Sequence, residues 1–524
     1  MQKIAASISK TVCLTLAAVM LGVCFSGCSK KENKYNNGVN GMKISIVDER
    51  NVEKVITEKK FKKPKLDDNG GSFTITKVFA DHMVLQANMA GRIWGNYWGK
   101  EETSWVALEI KDDNSGKAQT YYAETDINGD FELWFSPYDY GGPYTLTLYD
   151  KEGHSLQYAD VLFGEVYVLG GQSNMGWTVG QCYGKTTSEL YYRDIIDNCT
   201  NYDVRSMLVW PVSSAKPVDY LSSARLWQCA SPEEILGWSA TGYFFARRLN
   251  ELYNVPVGVI SACMGATPIS AWRTTGEWYM GVVNPVKRLV VRGVCWYQGE
   301  GDYLKYGERL EELIAEWRSE FQNPNLYWAA VELPRNASDE QWALSRDEVS
   351  GLNGKVEKYT SCTTLDTGLF PEWTAEGDNL NTQGEHPYEK LKVGERLADA
   401  AAQDFYGAEG TWKAPYMTEA TRTGDKITFR FDNVGDGLKL VGTNGFTVKS
   451  GTKFTTVEPK LIDKNTVEID ISGIEGATAV WYGIKNYRGE GITKCADSVC
   501  IYNTKDGEAA YPAQQFRMEL ADIK

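Results

Sequence analysis

An α/β unit built on a parallel sheet, carried between two β-rich segments, is the fold this sequence predicts. Three observations predict it. From residue 161 to 408 short apolar runs alternate with stretches of helical period, as a parallel sheet with helices on its faces requires. From 71 to 160, and again from 409 to 524, the period falls to two, and Gly and Asn/Asp turns separate the runs; both segments read as β-sandwich-like domains. The 524 residues leave room for about two to four domains.

Taken in order, residues 1–28 read as an export signal. Lys3 and Lys10 supply its positive end, and residues 11–24 an apolar stretch too short to favour a spanning helix. Phe25-Ser26-Gly27-Cys28 is similar to a bacterial lipobox, with Cys28 as the lipidated residue. Phe25 stands where leucine is usual, so ordinary secretion is the alternative. Residues 29–70, rich in Lys, Asn and Glu and without apolar period, read as a flexible tether. The expected location is therefore outside the cytoplasm, on a membrane reached through a lipid anchor.

In the first β-rich segment the runs at 72–76, 105–110 and 144–149 are strands, with a turn at Asp126-Ile127-Asn128-Gly129-Asp130. In the α/β unit, 163–170 is a buried strand. A helix is expected over 241–253, followed by a strand at 255–260 and a strand-like run at 288–297. An amphipathic helix at 306–321, a strand at 326–333 and a last helix at 389–405 complete it. In the final segment 426–432 and 466–471 are the clearest strands.

Composition narrows the function classes. A hydrophobic content of 43% and an aromatic content of 12% belong to a folded chain. A net charge of -14 argues against a nucleic-acid partner. Of eleven cysteines, eight remain once residues 1–28 are set aside. Cys495 with Cys500, and Cys182 with Cys199, are the nearest pairs for oxidation in an exported protein. Cys263 and Cys295 lie in apolar runs and read as free buried thiols. No CxxC or HExxH spacing suggests a metal site, and no cofactor is expected.

The chemistry concentrates where the strand 163–170 ends. Gly171-Gln172-Ser173-Asn174-Met175 lets the backbone bend without a Cβ clash and delivers a serine at the carboxyl end of a sheet. This block resembles the first signature of the SGNH hydrolases, in the branch that holds the sialate O-acetylesterases and related carbohydrate acetylesterases. Residues 78–86, Val-Phe-Ala-Asp-His-Met-Val-Leu-Gln, resemble the opening segment of that family; 432–438 and 515–517 resemble its C-terminal part. The resemblance implies an SGNH-like three-layer α/β/α domain and a serine esterase acting on O-acetylated carbohydrate, with Ser173 as nucleophile.

The chain has three histidines. His82 precedes the α/β unit and reads as structural, and His154 lies in a loop just before it. His386, in Glu385-His386-Pro387-Tyr388-Glu389-Lys390, resembles the last block of the family and is the implied general base. The implied oxyanion donors are the backbone N–H of Ser173, Gly265 in Cys263-Met264-Gly265-Ala266, and the side chain of Gln298. Gly265 also reads as a plain turn, and Gln298 as a strand-end amide satisfying local backbone.

SGNH enzymes commonly place an aspartate three residues before the histidine, and Gln383 stands there in this chain. Glu300, in Gln298-Gly299-Glu300, resembles the motif to which related acetylesterases assign an acid; its plainer reading is a salt-bridged structural carboxylate. Asp378, Glu385 and Asp366 are the alternative acids, and Asp302 lies near. Without an acid the site is a dyad. Two other classes are weighed against the esterase. One is a surface carbohydrate-binding lipoprotein of the same fold that has lost activity, to which Gln383 lends support. The other is a glycosidase using Glu300 and Asp302, which side chains so close on one segment serve poorly, because such acids flank the scissile bond.

Overall fold

The computed structural model describes residues 61–67, 73–98, 104–183, 189–221, 223–335, 339–368, 386–410, 412–484 and 498–524. The expected export signal with Cys28, most of the tether, Asp378, Gln383, Glu385 and Cys495 lie outside the described residues.

Strands β1 (Phe73–Ile75), β2 (Val84–Gln86), β3 (Gly91–Tyr97), β4 (Trp105–Asp112), β5 (Ala118–Glu124), β6 (Asp130–Phe135) and β7 (Gly141–Asp150) lead into β8 (Ser155–Gly171). The seventeen residues of β8 organise the molecule. Its first part pairs antiparallel with β7, from Tyr149 opposite Ser155 to Gly141 opposite Phe163. Its second part runs parallel to β11 (Val257–Cys263) on one side and β12 (Gly293–Tyr297) on the other. The boundary expected between residues 160 and 161 thus falls inside one continuous strand. The apolar core is likewise continuous across it, from Val78 and Trp94 to Phe405.

The central order is β10-β9-β11-β8-β12-β13-β14, with β9 Asn201–Val209, β10 Ala224–Ala230, β13 Tyr327–Val331 and β14 Tyr359–Cys362. It departs from an all-parallel sheet at one edge, where β10 runs antiparallel to β9. From Val161 to Gly171 every residue of β8 is buried, including both parities of side chain. That is the signature of a central strand covered on both faces.

Helices fix which face is which. Among them are α1 (Ser173–Gly176), α2 (Glu189–Asp197), α3 (Ala240–Tyr253), α4 (Tyr306–Glu320), α5 (Asp339–Ser350) and α6 (Lys390–Tyr406). A Cβ on Gly242 of α3 would fall 2.1 Å from Leu169, whereas a Cβ on Gly170 would fall 2.8 Å from the Trp296 ring and 3.5 Å from Trp317 of α4. Adjacent strand residues point to opposite faces, so α3 and α4 lie on opposite sides of the sheet. Helix α3 begins where Ser239 accepts the Gly242 N–H at 3.0 Å and ends at Asn254 with φ 50°. Helix α6 packs against α3 and against β13 and β14.

After residue 412 the strands are antiparallel and enclose a second apolar cluster that includes Ile427, Phe429, Phe446, Val480 and Tyr482. Buried polar bonds join this part to the α/β part. Arg335 donates to Ser498 Oγ at 2.6 Å, Arg346 to Gln515 Oε1 at 2.5 Å, and Gln514 to Glu332 Oε1 at 3.0 Å. Cys182 and Cys199 are both buried free thiols, so the pairing considered for them is not made. Among the described residues no helix is long and apolar enough to cross a membrane.

Candidate active site

The end of β8 is held by its neighbour. Gly171 has φ 119°, and a Cβ there would fall 2.2 Å from the Tyr297 carbonyl oxygen. Only glycine meets both conditions. The next N–H, of Gln172, donates to that same carbonyl at 3.0 Å. The chain then turns directly into α1, whose first residue is Ser173. The nucleophile candidate therefore stands at the carboxyl edge of the sheet on a backbone pinned by β12.

His386 lies just before α6 and reaches this serine: its Nε2 is 2.7 Å from Ser173 Oγ. Trp177 stacks on the imidazole, with ring centroids 5.0 Å apart and planes 15° from parallel. The other ring nitrogen, Nδ1, is buried and has no hydrogen-bond partner among the described residues. Burial, and after it the positive charge of Lys390, push the imidazole down to about 4. The two remaining histidines are bound elsewhere. His82 Nδ1 is 2.7 Å from Asp160, and His154 Nδ1 is 2.7 Å from Asp150.

Gly265 follows β11 and comes up against the serine. The Met264 N–H donates to the Gly171 carbonyl at 3.1 Å, and a Cβ placed on Gly265 would sit 3.4 Å from Ser173 Cβ. The backbone of 265 is thus beside the reacting group. Gln298 is buried differently from the oxyanion role expected of it. Its amide nitrogen lies 2.8 Å from Asp302 Oδ2 and 3.2 Å from both Gln172 Oε1 and the Thr267 carbonyl. Its carbonyl accepts from Tyr306 at 2.6 Å. Two amide hydrogens facing three protein acceptors make Gln298 a brace between β12, the 267–269 loop and α4. Asp302 completes that brace, accepting also from the Ile269 N–H at 2.7 Å and from Arg309 at 2.8 Å.

Glu300 accepts from the Asn174 side chain at 2.7 Å, and the other end of that amide accepts from Lys390 Nζ at 2.5 Å. Glu300 is thus next to the nucleophile turn, bonded to the residue after Ser173 and not to the buried Nδ1 of His386. Asp366 is held by Arg396 through two bonds of 2.5 and 2.8 Å, and that guanidinium keeps its carboxyl below the usual range despite full burial. Arg396 lies on α6, so this ion pair ties the start of the histidine-bearing segment to the helix that ends it. Asp378 and Glu385 lie outside the described residues.

Sequence reasoning passed over three residues of the site: Trp177, Asn174 and Lys390. Asn174 lies within the same five-residue block as the serine. Lys390 follows His386 by one helical turn. Its cation is fully buried and rests 5.0 Å above the Tyr297 ring, and burial pulls it down to about 8.

An α/β sheet with a serine–histidine pair at its carboxyl edge defines the class of the site. Residues 163–403 match the family described as carbohydrate esterase, sialic acid-specific acetylesterase. Human sialate O-acetylesterase is 26% identical over 295 residues, covering 48% of this chain and 54% of that protein. The mouse sialate O-acetylesterase is 24% identical over 319 residues, covering 48% and 57%. The chain thus spans just over half the length of the curated relatives it matches. A solved carbohydrate acetylesterase from Xanthomonas citri superposes with a TM-score of 0.71 at 25% identity, over 86% of this chain and 100% of that one.

Proposed function

We propose that the protein is a serine esterase that removes O-acetyl groups from carbohydrate through an acetyl-enzyme. The observation that carries the proposal is the 2.7 Å contact between Ser173 Oγ and His386 Nε2 at the end of the central strand. Ser173 attacks the acetyl carbonyl while His386 takes its proton. The tetrahedral oxygen is met by the backbone N–H groups of Ser173 and Gly265. Collapse breaks the bond between the acetyl carbon and the sugar oxygen; that oxygen takes the proton from His386 and leaves as a hydroxyl, and acetyl stays on Ser173. Water, deprotonated by the same imidazole, then releases acetate. Each step needs a nucleophile, a base and donors, and no cofactor enters. Because His386 titrates at about 4, it is a free base through the neutral range. On this reading the rate falls only on strong acidification, as pH drops through the histidine value.

The relatives' names point to acetylated sialic acid and to other acetylated carbohydrate, and both are substrates to be tried. The proposal includes an SGNH-like three-layer catalytic domain between flanking β domains. It also includes export, with lipidation at Cys28 anchoring the protein to a membrane. The second reading, a carbohydrate-binding protein of weakened activity, draws on one observation: among the described residues the buried Nδ1 of His386 has no partner to stabilise an imidazolium.

Acetate release from an aryl acetate, O-acetylated sialic acid and acetylated xylan, with wild type beside Ser173→Ala, decides between them. The esterase predicts release that drops by at least about a thousandfold in the variant. Wild-type protein that is folded, binds glycan and frees no acetate leaves the binding reading.

A further inference from the structure

A fully buried lysine beside the nucleophile turn has no part in the chemistry described so far. Lys390 opens α6, where the helix dipole already disfavours a cation, and none of its surface meets solvent. An ammonium persists in such a place only when its partners are built around it. They are. Its Nζ donates to Asn174 Oδ1 at 2.5 Å and lies over the Tyr297 ring at 5.0 Å. The Asn174 amide hands its other end to Glu300 at 2.7 Å. A cation and a carboxylate are therefore joined through one amide, and that amide belongs to the residue directly after Ser173.

The groups facing Lys390 come from every element around it. Glu300 follows β12, Tyr297 ends β12, Cys182 lies in the short turn after α1, and His386 precedes α6 itself. Burial holds the Cys182 thiol up at about 11 and the Tyr297 hydroxyl well above its usual value, so neither is an anion at neutral pH. Among the described residues that leaves Glu300 as the carboxylate that answers Lys390, and His386 as the base that feels it. Resting on the esterase reading, we propose that Lys390 is a positioning residue. Through Asn174 and Glu300 it locks the turn that presents Ser173, and its charge, four residues on from His386, adds to the effect of burial on that imidazole.

The three histidines of the chain make the test direct, because histidine-labelled protein shows three imidazoles by NMR. Lys390→Met and Lys390→Gln remove the charge, the second keeping a donor for Asn174, and Lys390→Arg keeps the charge. In wild type the His386 signal titrates near 4, with a second, smaller inflection near 8 as the lysine discharges. In K390M and K390Q the acid midpoint rises by roughly half a unit to one unit and the upper inflection vanishes. In K390R the midpoint stays. With esters, K390M lowers kcat about 10- to 100-fold and leaves KM within about twofold. K390Q carries the same reading if K390M does not fold.

A folded K390M or K390Q whose His386 midpoint matches wild type overturns the proposal, as does an unchanged kcat in an active enzyme. The titration needs no turnover, so the two readings fail separately. A midpoint that moves in a protein without esterase activity supports the Lys390 coupling while the esterase falls.

Discussion

Trp177 illustrates how much one side chain decides at this site. Its indole lies flat against the His386 ring and keeps water from one face of the imidazole. Burial is the larger cause of the depressed histidine value, so exposing that face moves the value back toward the ordinary 6.5. Trp177→Ala should raise the acid limb of the rate–pH profile by about one unit. It should also lower kcat about tenfold as the ring loses its support. A W177A profile that superposes on wild type would show that the indole does not shield the histidine. The same residue-scale view explains why Gln298 and Glu300 look alike in the sequence and differ in the fold. Both stand just beyond β12, yet one braces Asp302 and Tyr306 while the other faces Asn174. Nothing in the local string records that difference, because each partner arrives from another segment.

At the scale of elements, the site depends on how closely α6 approaches α3. Gly394 sits at that crossing. A Cβ there would fall 2.6 Å from Phe244 Cβ and from the Thr241 carbonyl, and 2.8 Å from the Phe245 nitrogen. Two of those atoms are backbone and cannot turn aside. Gly394→Ala must therefore push α6 outward, and overpacking of this kind costs about 1–3 kcal/mol. The N-terminal end of α6 carries Lys390, and His386 precedes it. The same substitution should consequently lower kcat more than its stability loss accounts for. The check is kcat and Tm measured on one sample; a kcat that falls no further than the folded fraction would mean that the helix tip stays in place. Elements of this kind were readable where one period dominates. Helix α3, expected from 241 to 253, runs Ala240–Tyr253, and the strand at 426–432 is found as Lys426–Asp432. The run expected from 288 becomes strand only at Gly293, and Arg292 just before it turns its guanidinium onto Glu165. Helix α5 has a weak apolar stripe of its own and offered no signal, and its buried Arg346 donates to Gln515 and to the Pro334 carbonyl. The serine block and the histidine segment were legible because each is short and contiguous. The lysine lock was not, because it assembles from three separated segments.

Over the whole molecule, the α/β part and the C-terminal strands meet through buried polar groups, and one of them gives the joint a pH dependence. Glu332 follows β13, is fully buried, and accepts from Ser361 at 2.8 Å and from Gln514 at 3.0 Å. Burial raises its carboxyl from 4.5 to about 7, against the opposing pull of those bonds and of Arg346. The folded value lies above the unfolded one. The contribution of Glu332 to stability is therefore complete below about pH 4.5 and is lost as pH rises through about 7. In that window the unfolded chain has released a proton that the folded chain still holds. A displacement of about 2.5 units corresponds to roughly 3 kcal/mol at most. Glu332→Gln keeps an acceptor for both Ser361 and Gln514 and has nothing to ionise. Its melting temperature should match wild type near pH 4.5 and exceed it by a growing margin toward pH 8. His386 and Lys390, whose values are lowered by burial, act in the opposite sense, but they titrate equally in both proteins and cancel in the difference. Calorimetric scans of the pair at pH 4.5, 6 and 8 measure that margin. A margin that stays constant with pH would show that Glu332 is ionised in the fold and that the joint is held by its hydrogen bonds alone.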